Sequence, residues 1–218
     1  MATEFEPALA NGAHEHHDMR DQILAAATRL FAAAGFDGTS LQDIADAVGI
    51  RKPSVLHHFP SKDAIRVAVL EALITRWKDV VPRILQAATT GQEGFEAAIF
   101  AVIQFFREDS ARARLLVREL LDRPASLLAM FRDHLHPWIG LVVDTMRRGQ
   151  QDGTVDAELD VPAFVSQIVG MVISNIASSD VLTQLVPSDD DDVDPMDRQL
   201  REMIRIARRG FFANPERT

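Results

Sequence analysis

The segment TSLQDIADAVGIRKPSVLHHFPSK, running from Thr39 to Lys62, decides how the chain is read. Its grammar is that of two short helices around a tight turn. A hydroxyl of Thr39 or Ser40 can accept a hydrogen bond from an orphan N–H of the first helix. Gln42 or Asp43 then sits three residues on, where a capping-box partner belongs. Leu41, Ile44, Ala45 and Val48 recur at helical spacing and give one apolar face. Gly49 follows where a helix can stop on a left-handed residue, and Pro53 suits the first turn of a second helix, where its missing N–H costs nothing. Ser54 to Phe59 make less than two turns before Pro60 disfavours more helix. The pair fits a helix-turn-helix, whose second helix enters the DNA major groove. It equally fits any all-helical protein with two short helices joined by a glycine. Between Gly49 and Lys62 lie Arg51, Lys52, two histidines and no acid, which favours an anionic partner.

Neighbouring residues extend the pattern: Ala27, Leu30-Phe31 and Gly35, then Thr39-Ser40, Asp43-Ile44-Ala45 and Gly49, then Lys52-Pro53-Ser54, His58-Phe59 and Ser61-Lys62-Asp63. Through them the segment Ile23 to Ile65, about a fifth of the chain, resembles without insertions the DNA-binding domain of the tetracycline-repressor (TetR) family of bacterial regulators. The resemblance implies an all-α protein, with an N-terminal three-helix helix-turn-helix domain and a C-terminal helical ligand-binding and dimerisation domain. It further implies a regulator, most often a repressor, that binds a palindromic operator in double-stranded DNA as a homodimer. A small-molecule effector of unknown identity would release it. One departure stands out. Members of the family often carry aromatic residues where this chain has Leu56 and His57. A tyrosine at the first position can reach a phosphate; Leu56 cannot, though it can touch a thymine methyl.

On this reading Thr39, Ser40 and Lys62 are expected to hold phosphates and set orientation. Arg51 and Lys52 can meet phosphate or a guanine edge, Pro53 belongs to the DNA-binding set, and Ser54, Val55, Leu56 and His57 lie on or near the groove face. His58 belongs to the same set but packs more naturally with Phe59 beneath the helix.

The chain has 218 residues, enough for one or two domains with a real core, and a formal net charge of −9. The acidity is unevenly placed. Residues 19–66 hold six cations against five acids, whereas six aspartates crowd Asp189 to Asp197. Phosphate neutralisation depends on local cations, so the total is no veto on DNA. Cysteine is absent, which excludes disulfides and thiolate metal sites and fits a reducing, cytoplasmic location. Met1 to Arg20 lacks the apolar run of a signal peptide. The uncharged run Val161 to Ser179 reads as a buried helix, because its serines, Gln167 and Asn175 suit a membrane poorly. There is no G-x-S-x-G elbow, phosphate loop or H-E-x-x-H helix, so an enzyme is not expected, nor any cofactor. His14, His16 and His17 have no fixed geometry in a polar leader, and no metal site is expected.

Three parts follow: a flexible leader, 1–18; a helix-turn-helix domain, 19–63; and a helical ligand-binding and dimerisation domain, 64–218. The first helix is expected over Asp18–Ala34, and a long one from Ser61 to about Leu85, with Pro82 near its end. Further helices fall near 95–107, 111–121, 124–150 with a kink at Pro137, 161–178 and 195–212. The acidic stretch 187–192 is expected to be a mobile loop. Candidates for an effector pocket are Trp77, Phe100, Phe105 and Arg118, with Phe131, His134, Trp138 and Met171. Two apolar stripes remain: Phe164, Ile168 and Val172 on one helix, and Leu200, Met203, Ile204, Ala207 and Phe211 on the last. They can complete the core of a single chain. The resemblance implies instead that they pair with their twins in a four-helix dimer interface.

Overall fold

The computed structural model describes residues 8–87, 91–185 and 194–212, with side chains in 18–78, 80, 94–185 and 194–212. Among the described residues there are α-helices and no strand, only an isolated antiparallel bridge between Val155 and Phe212. The fold is all-α, as read from the sequence. Two compact units divide at Leu73/Ile74, inside the helix Lys62–Ala87 and beyond the boundary expected at residue 63.

The first unit begins with α1 (Ala8–Ala34). This corrects the expected start at Asp18, because residues 8–18 continue the helix instead of standing apart as a leader. Elongating a formed helix adds one hydrogen bond per residue without a new nucleus, and Ala8, Leu9, Ala10 and Ala13 are strong helix formers. The side chains of His14, His16 and His17 lie outside the described residues. At the other end Gly35 takes a left-handed φ of 78°, and its N–H donates to the Phe31 carbonyl at 3.0 Å.

Helix α2 (Leu41–Val48) starts on a complete capping box. The Asp43 N–H donates to Ser40 Oγ at 3.1 Å, and the Ser40 N–H donates to Asp43 Oδ2 at 2.7 Å. At its end the Ile50 N–H bonds the Ala45 carbonyl and the Gly49 N–H bonds that of Asp46, the paired closure of a Schellman motif. Gly49 makes this possible with φ 77°, a conformation that an L side chain resists. Helix α3 (Lys52–His58) follows with Pro53 in its first turn. Helix α4 (Lys62–Ala87) starts beside Ser61, whose Oγ accepts from the Ala64 N–H at 3.1 Å. It runs past Pro82, which does not end it. Ile23, Ala27 and Phe31 of α1, Ile44 of α2, Val55 of α3, and Ile65, Val69 and Leu70 of α4 form this unit's buried core.

The second unit is built from α5 (Gly91–Arg107), α6 (Ser110–Asp122), α7 (Pro124–His134), α8 (His136–Gln151), α9 (Val161–Ala177), α10 (Ser179–Leu185) and α11 (Pro195–Phe211). Carboxylates start three of them: Asp109, Asp160 and Asp194 each accept a backbone N–H of the helix that follows. The expected single helix over 124–150 is two, broken at Leu135, just ahead of Pro137. The short α10 was not anticipated, since the uncharged run that contains α9 hides its start. The acidic stretch 187–192 lies outside the described residues.

Ile99, Val102 and Ile103 of α5, Leu115 and Leu116 of α6, Ile168, Val172 and Ile176 of α9, and Leu200 and Met203 of α11 are buried together. Near the end of α8, Gly149 lets the following turn pack closely: a Cβ there would lie 2.5 Å from Val155 Cγ2, so Val155 would have to shift. Gln150 Nε2 donates to the carbonyls of Asp156 and Leu159, each at 2.9 Å, and the Asp156 N–H donates to the Phe211 carbonyl at 3.0 Å. Among the described residues no single helix is long and apolar enough to cross a membrane; α9 and α10 reach that length only as a pair bent by 81°.

The capping box carries a measurable load. Ser40→Ala is expected to destabilise the first unit by about 1 kcal/mol in a urea melt. The Ser40 N–H, and then its hydroxyl, hold the Asp43 carboxyl below its ordinary pKa of 3.8. A carboxylate with a lowered folded-state pKa stabilises fully above the unfolded value and loses that contribution as pH falls through the folded one. The stability difference between wild type and Asp43→Asn is therefore expected to shrink as pH drops below about 3.8.

Candidate nucleic-acid interface and apolar cavity

Helix α3 has seven residues and buries one of them, Val55, which corrects its expected place on the groove face: its side chain is spent anchoring the helix to the core. Phe59 follows as a second buried anchor, with the Arg20 guanidinium 4.8 Å from its ring centroid. Everything else on α3 except His58 faces outward: Lys52, Pro53, Ser54, Leu56 and His57 are exposed, as is Arg51 just before it. Leu56 is 40% exposed, a large apolar side chain that keeps much of its surface outward. His57 stands edge-on to the half-buried His58, with ring centroids 5.8 Å apart. The helix thus presents two cations, a hydroxyl, an imidazole and an apolar tip, with no acid in its first turn.

Two of the expected phosphate contacts turn inward. Thr39 is 2% exposed, and its Oγ1 donates to the Gly35 carbonyl at 2.8 Å. Lys62 Nζ donates to the carbonyls of Phe36 at 2.7 Å and Thr39 at 2.8 Å, and lies 4.2 Å from the centroid of the Phe36 ring. Ser40 is exposed but committed to the capping box. Thr39 and Lys62 therefore hold the turn between α1 and α2 together; the role of Lys62 is invisible in sequence, because its partners are backbone carbonyls 26 and 23 residues away.

In the second unit an apolar cavity of about 130 Å³ lies among α4, α5, α8, α9 and α11. Trp77 and Trp138 line it, as expected. The others do not. Phe105 is buried behind the wall, edge-on to Trp77 at 5.1 Å between centroids. Phe100 points away on the opposite face of α5 and is 51% exposed. Arg118, Phe131, His134 and Met171 are half-buried outside the lining. Phe95, Ile99 and Val102, spaced at helical intervals on α5, take their place.

The expected dimer stripes also need correction. Phe164, Ile168 and Phe211 line the cavity, Val172, Leu200, Met203 and Ala207 are buried within the single chain, and Ile204 is half-buried. Val172, Leu200, Met203 and Ala207, already covered by their own unit, cannot also form the seam with a second copy, whereas Phe164 and Ile204 keep part of their surface exposed. The outward face of α9 carries Ala163, Gln167, Gly170 and Ser174 instead, and α11 turns Arg205, Ile206 and Arg209 outward.

The profile of the bacterial regulatory proteins of the tetR family matches residues 23–69, a span that contains α2 and α3. The chain is 30% identical over 153 residues to the transcriptional repressor KstR2 of Rhodococcus jostii, covering 65% of this chain and 70% of that protein. It is 31% identical over 99 residues to the transcriptional activator FasR of Mycolicibacterium smegmatis, where the match spans only 45% of either protein. Among solved structures, the regulator FadR of Bacillus subtilis in complex with stearoyl-CoA has the same fold, with a TM-score of 0.63 and 16% identity over 87% of this chain and 98% of that one.

The inward Lys62 and the outward Arg51 separate in a paired measurement. Lys62→Ala removes a charged donor from two carbonyls and is expected to destabilise the first unit by about 2 kcal/mol. Arg51→Ala leaves the melting curve unchanged, weakens DNA binding whatever the sequence, and makes the salt dependence shallower by about one unit. Equal melting curves for both variants would remove the structural assignment of Lys62.

Proposed function

The chain belongs to the tetR family of bacterial regulatory proteins and is a helix-turn-helix transcriptional regulator rather than an enzyme; from that premise we propose that it represses transcription by binding a palindromic operator as a homodimer, and that a small molecule in the second unit releases it. The observation that carries the DNA half of this reading is the exposure of α3. Val55 and Phe59 anchor it, leaving Ser54, Leu56 and His57 on one accessible surface beside Arg51 and Lys52. Arg51 and Lys52 meet phosphate or a guanine edge, while Ser54, Leu56 and His57 read base edges. Repression is favoured over activation because the match to the repressor KstR2 extends over 65% of this chain and the match to the activator FasR over 45%.

Dimerisation follows from the reading geometry. One short helix samples a few base pairs, and two copies spaced by one helical turn read successive major grooves on one side of the duplex. The outward face of α9 suits this pairing. Gly170 is exposed there, and a Cβ placed on it meets no heavy atom within 4 Å, so a partner helix can approach closely. The effector half rests on the cavity of the second unit, and the fold's binding of stearoyl-CoA in FadR gives it precedent. Release requires that the effector bind the DNA-incompetent arrangement more tightly, and the coupling is reciprocal.

Electrophoretic mobility of DNA flanking the protein's own gene, at two salt concentrations, tests the operator. A sequence-selective, salt-sensitive shift is expected; equal affinity for unrelated DNA would refute it. For the dimer, Gly170→Arg is expected to yield folded monomers in analytical ultracentrifugation, with operator affinity reduced by at least about tenfold. A Gly170→Arg protein that sediments as a dimer would place the pairing face elsewhere.

A further inference from the structure

The second unit's cavity is defined as much by what it lacks as by its size. Every described residue that lines it is apolar, and among them the only side-chain hydrogen-bond donors are the indole N–H groups of Trp77 and Trp138. A carboxylate, phosphate or ammonium placed inside would lose its water and find no opposite charge. The volume of about 130 Å³ is close to that of an engineered cavity, roughly 150 Å³, that takes up a single benzene. The wall formed by α8 is the yielding one: of that helix only Gly149 is buried, and Ile139 is 46% exposed although it lines the cavity. The α5 wall is firm, because Ile99 and Val102 are buried in the core.

We propose that the effector inserts an uncharged, compact hydrophobic group, a single ring or a short branched alkyl, between α5 and α8, and that the cavity rejects the charged isostere of the same shape. This rests on the reading of the cavity as the effector site. Recognition is by shape and desolvation, with at most one hydrogen bond to an indole N–H. A larger ligand enters by displacing α8, so its bulk meets Val142 and Met146 rather than the α5 core.

The chain carries its own reporter, since both of its tryptophans line the cavity. Titrating the purified full chain with toluene, without DNA, is expected to give a saturable change in tryptophan emission. Benzoate, the same ring bearing a charge, is expected to bind at least about 100-fold more weakly. Ala98→Phe fills the site and is expected to abolish the toluene response. Should that variant fail to fold, Val142→Ala on the looser wall enlarges the site and is expected to improve binding of naphthalene over toluene. Benzoate binding as tightly as toluene, no saturable response to toluene, or a Val142→Ala protein with unchanged preference would each overturn the proposal. DNA binding by the unliganded chain is measured separately. If it persists while toluene fails, the ligand class is wrong and the regulator stands; if it fails while toluene binds, the cavity assignment survives and the regulator does not.

Discussion

Lys62 holds the first unit in its working shape. Its ammonium donates to the Phe36 and Thr39 carbonyls and sits over the Phe36 ring, which also packs against Phe31 at 5.6 Å between centroids. Thr39 closes the same turn from the other side through the Gly35 carbonyl. One residue later Ser40 starts α2, and nine residues after that Gly49 ends it on a left-handed turn. Every one of these links is short and directional, so an error at the start would swing α3. A seven-residue helix has little stability of its own. The exposure of α3 is therefore set by Lys62, Thr39 and Gly49 together with Val55 and Phe59, and only secondarily by its own sequence.

This arrangement changes how affinity and specificity divide. With Lys62 occupied by carbonyls, the cations free to face a phosphate near α3 reduce chiefly to Arg51 and Lys52. A net charge of −9 supplies no long-range attraction to compensate. The non-specific component of binding is then small for each copy, since it scales with the phosphates neutralised. Leu56 in place of an aromatic hydroxyl removes another phosphate contact but leaves an apolar probe. On the proposed reading, discrimination between bases would carry a larger share of the binding free energy, and joining two copies would raise affinity without any new contact by each.

The parts legible in the sequence were those whose causes act within about six residues. The capping box, the glycine closure, Pro53 and the breaks beside Pro60 each encode a local geometry, and α2 and α3 fall where those signals place them. The apolar stripes of α9 and α11 were legible as buried faces but not as to what covers them. Periodicity gives the phase of a face and is silent on its partner; here α6 and α5 cover α9, and α5 and α9 cover α11, within the same chain. Aromaticity was a poor guide to the cavity for a similar reason. Phe100 and Phe95 are alike in chemistry, yet they stand on opposite faces of α5, and only the phase shared with Ile99 and Val102 distinguishes them. The role of Lys62 was out of reach, because a backbone carbonyl leaves no mark on sequence.

The cavity and the proposed pairing face share two helices. Phe164 of α9 and Phe211 of α11 line the cavity, with ring centroids 5.6 Å apart, and Phe95 stacks on Phe211 at 4.3 Å. On their outward sides the same helices carry Gly170 and Ile206. The Val155–Phe212 bridge and the Asp156 N–H on the Phe211 carbonyl tie the end of α11 to the turn ahead of α9. A ligand that spreads the Phe95–Phe164–Phe211 cluster must then act on both helices at once. Cores repack between discrete arrangements more readily than they deform. On the proposed pairing and effector site, ligand occupancy and pairing geometry would be two readouts of one equilibrium, each shifting the other by the same free energy.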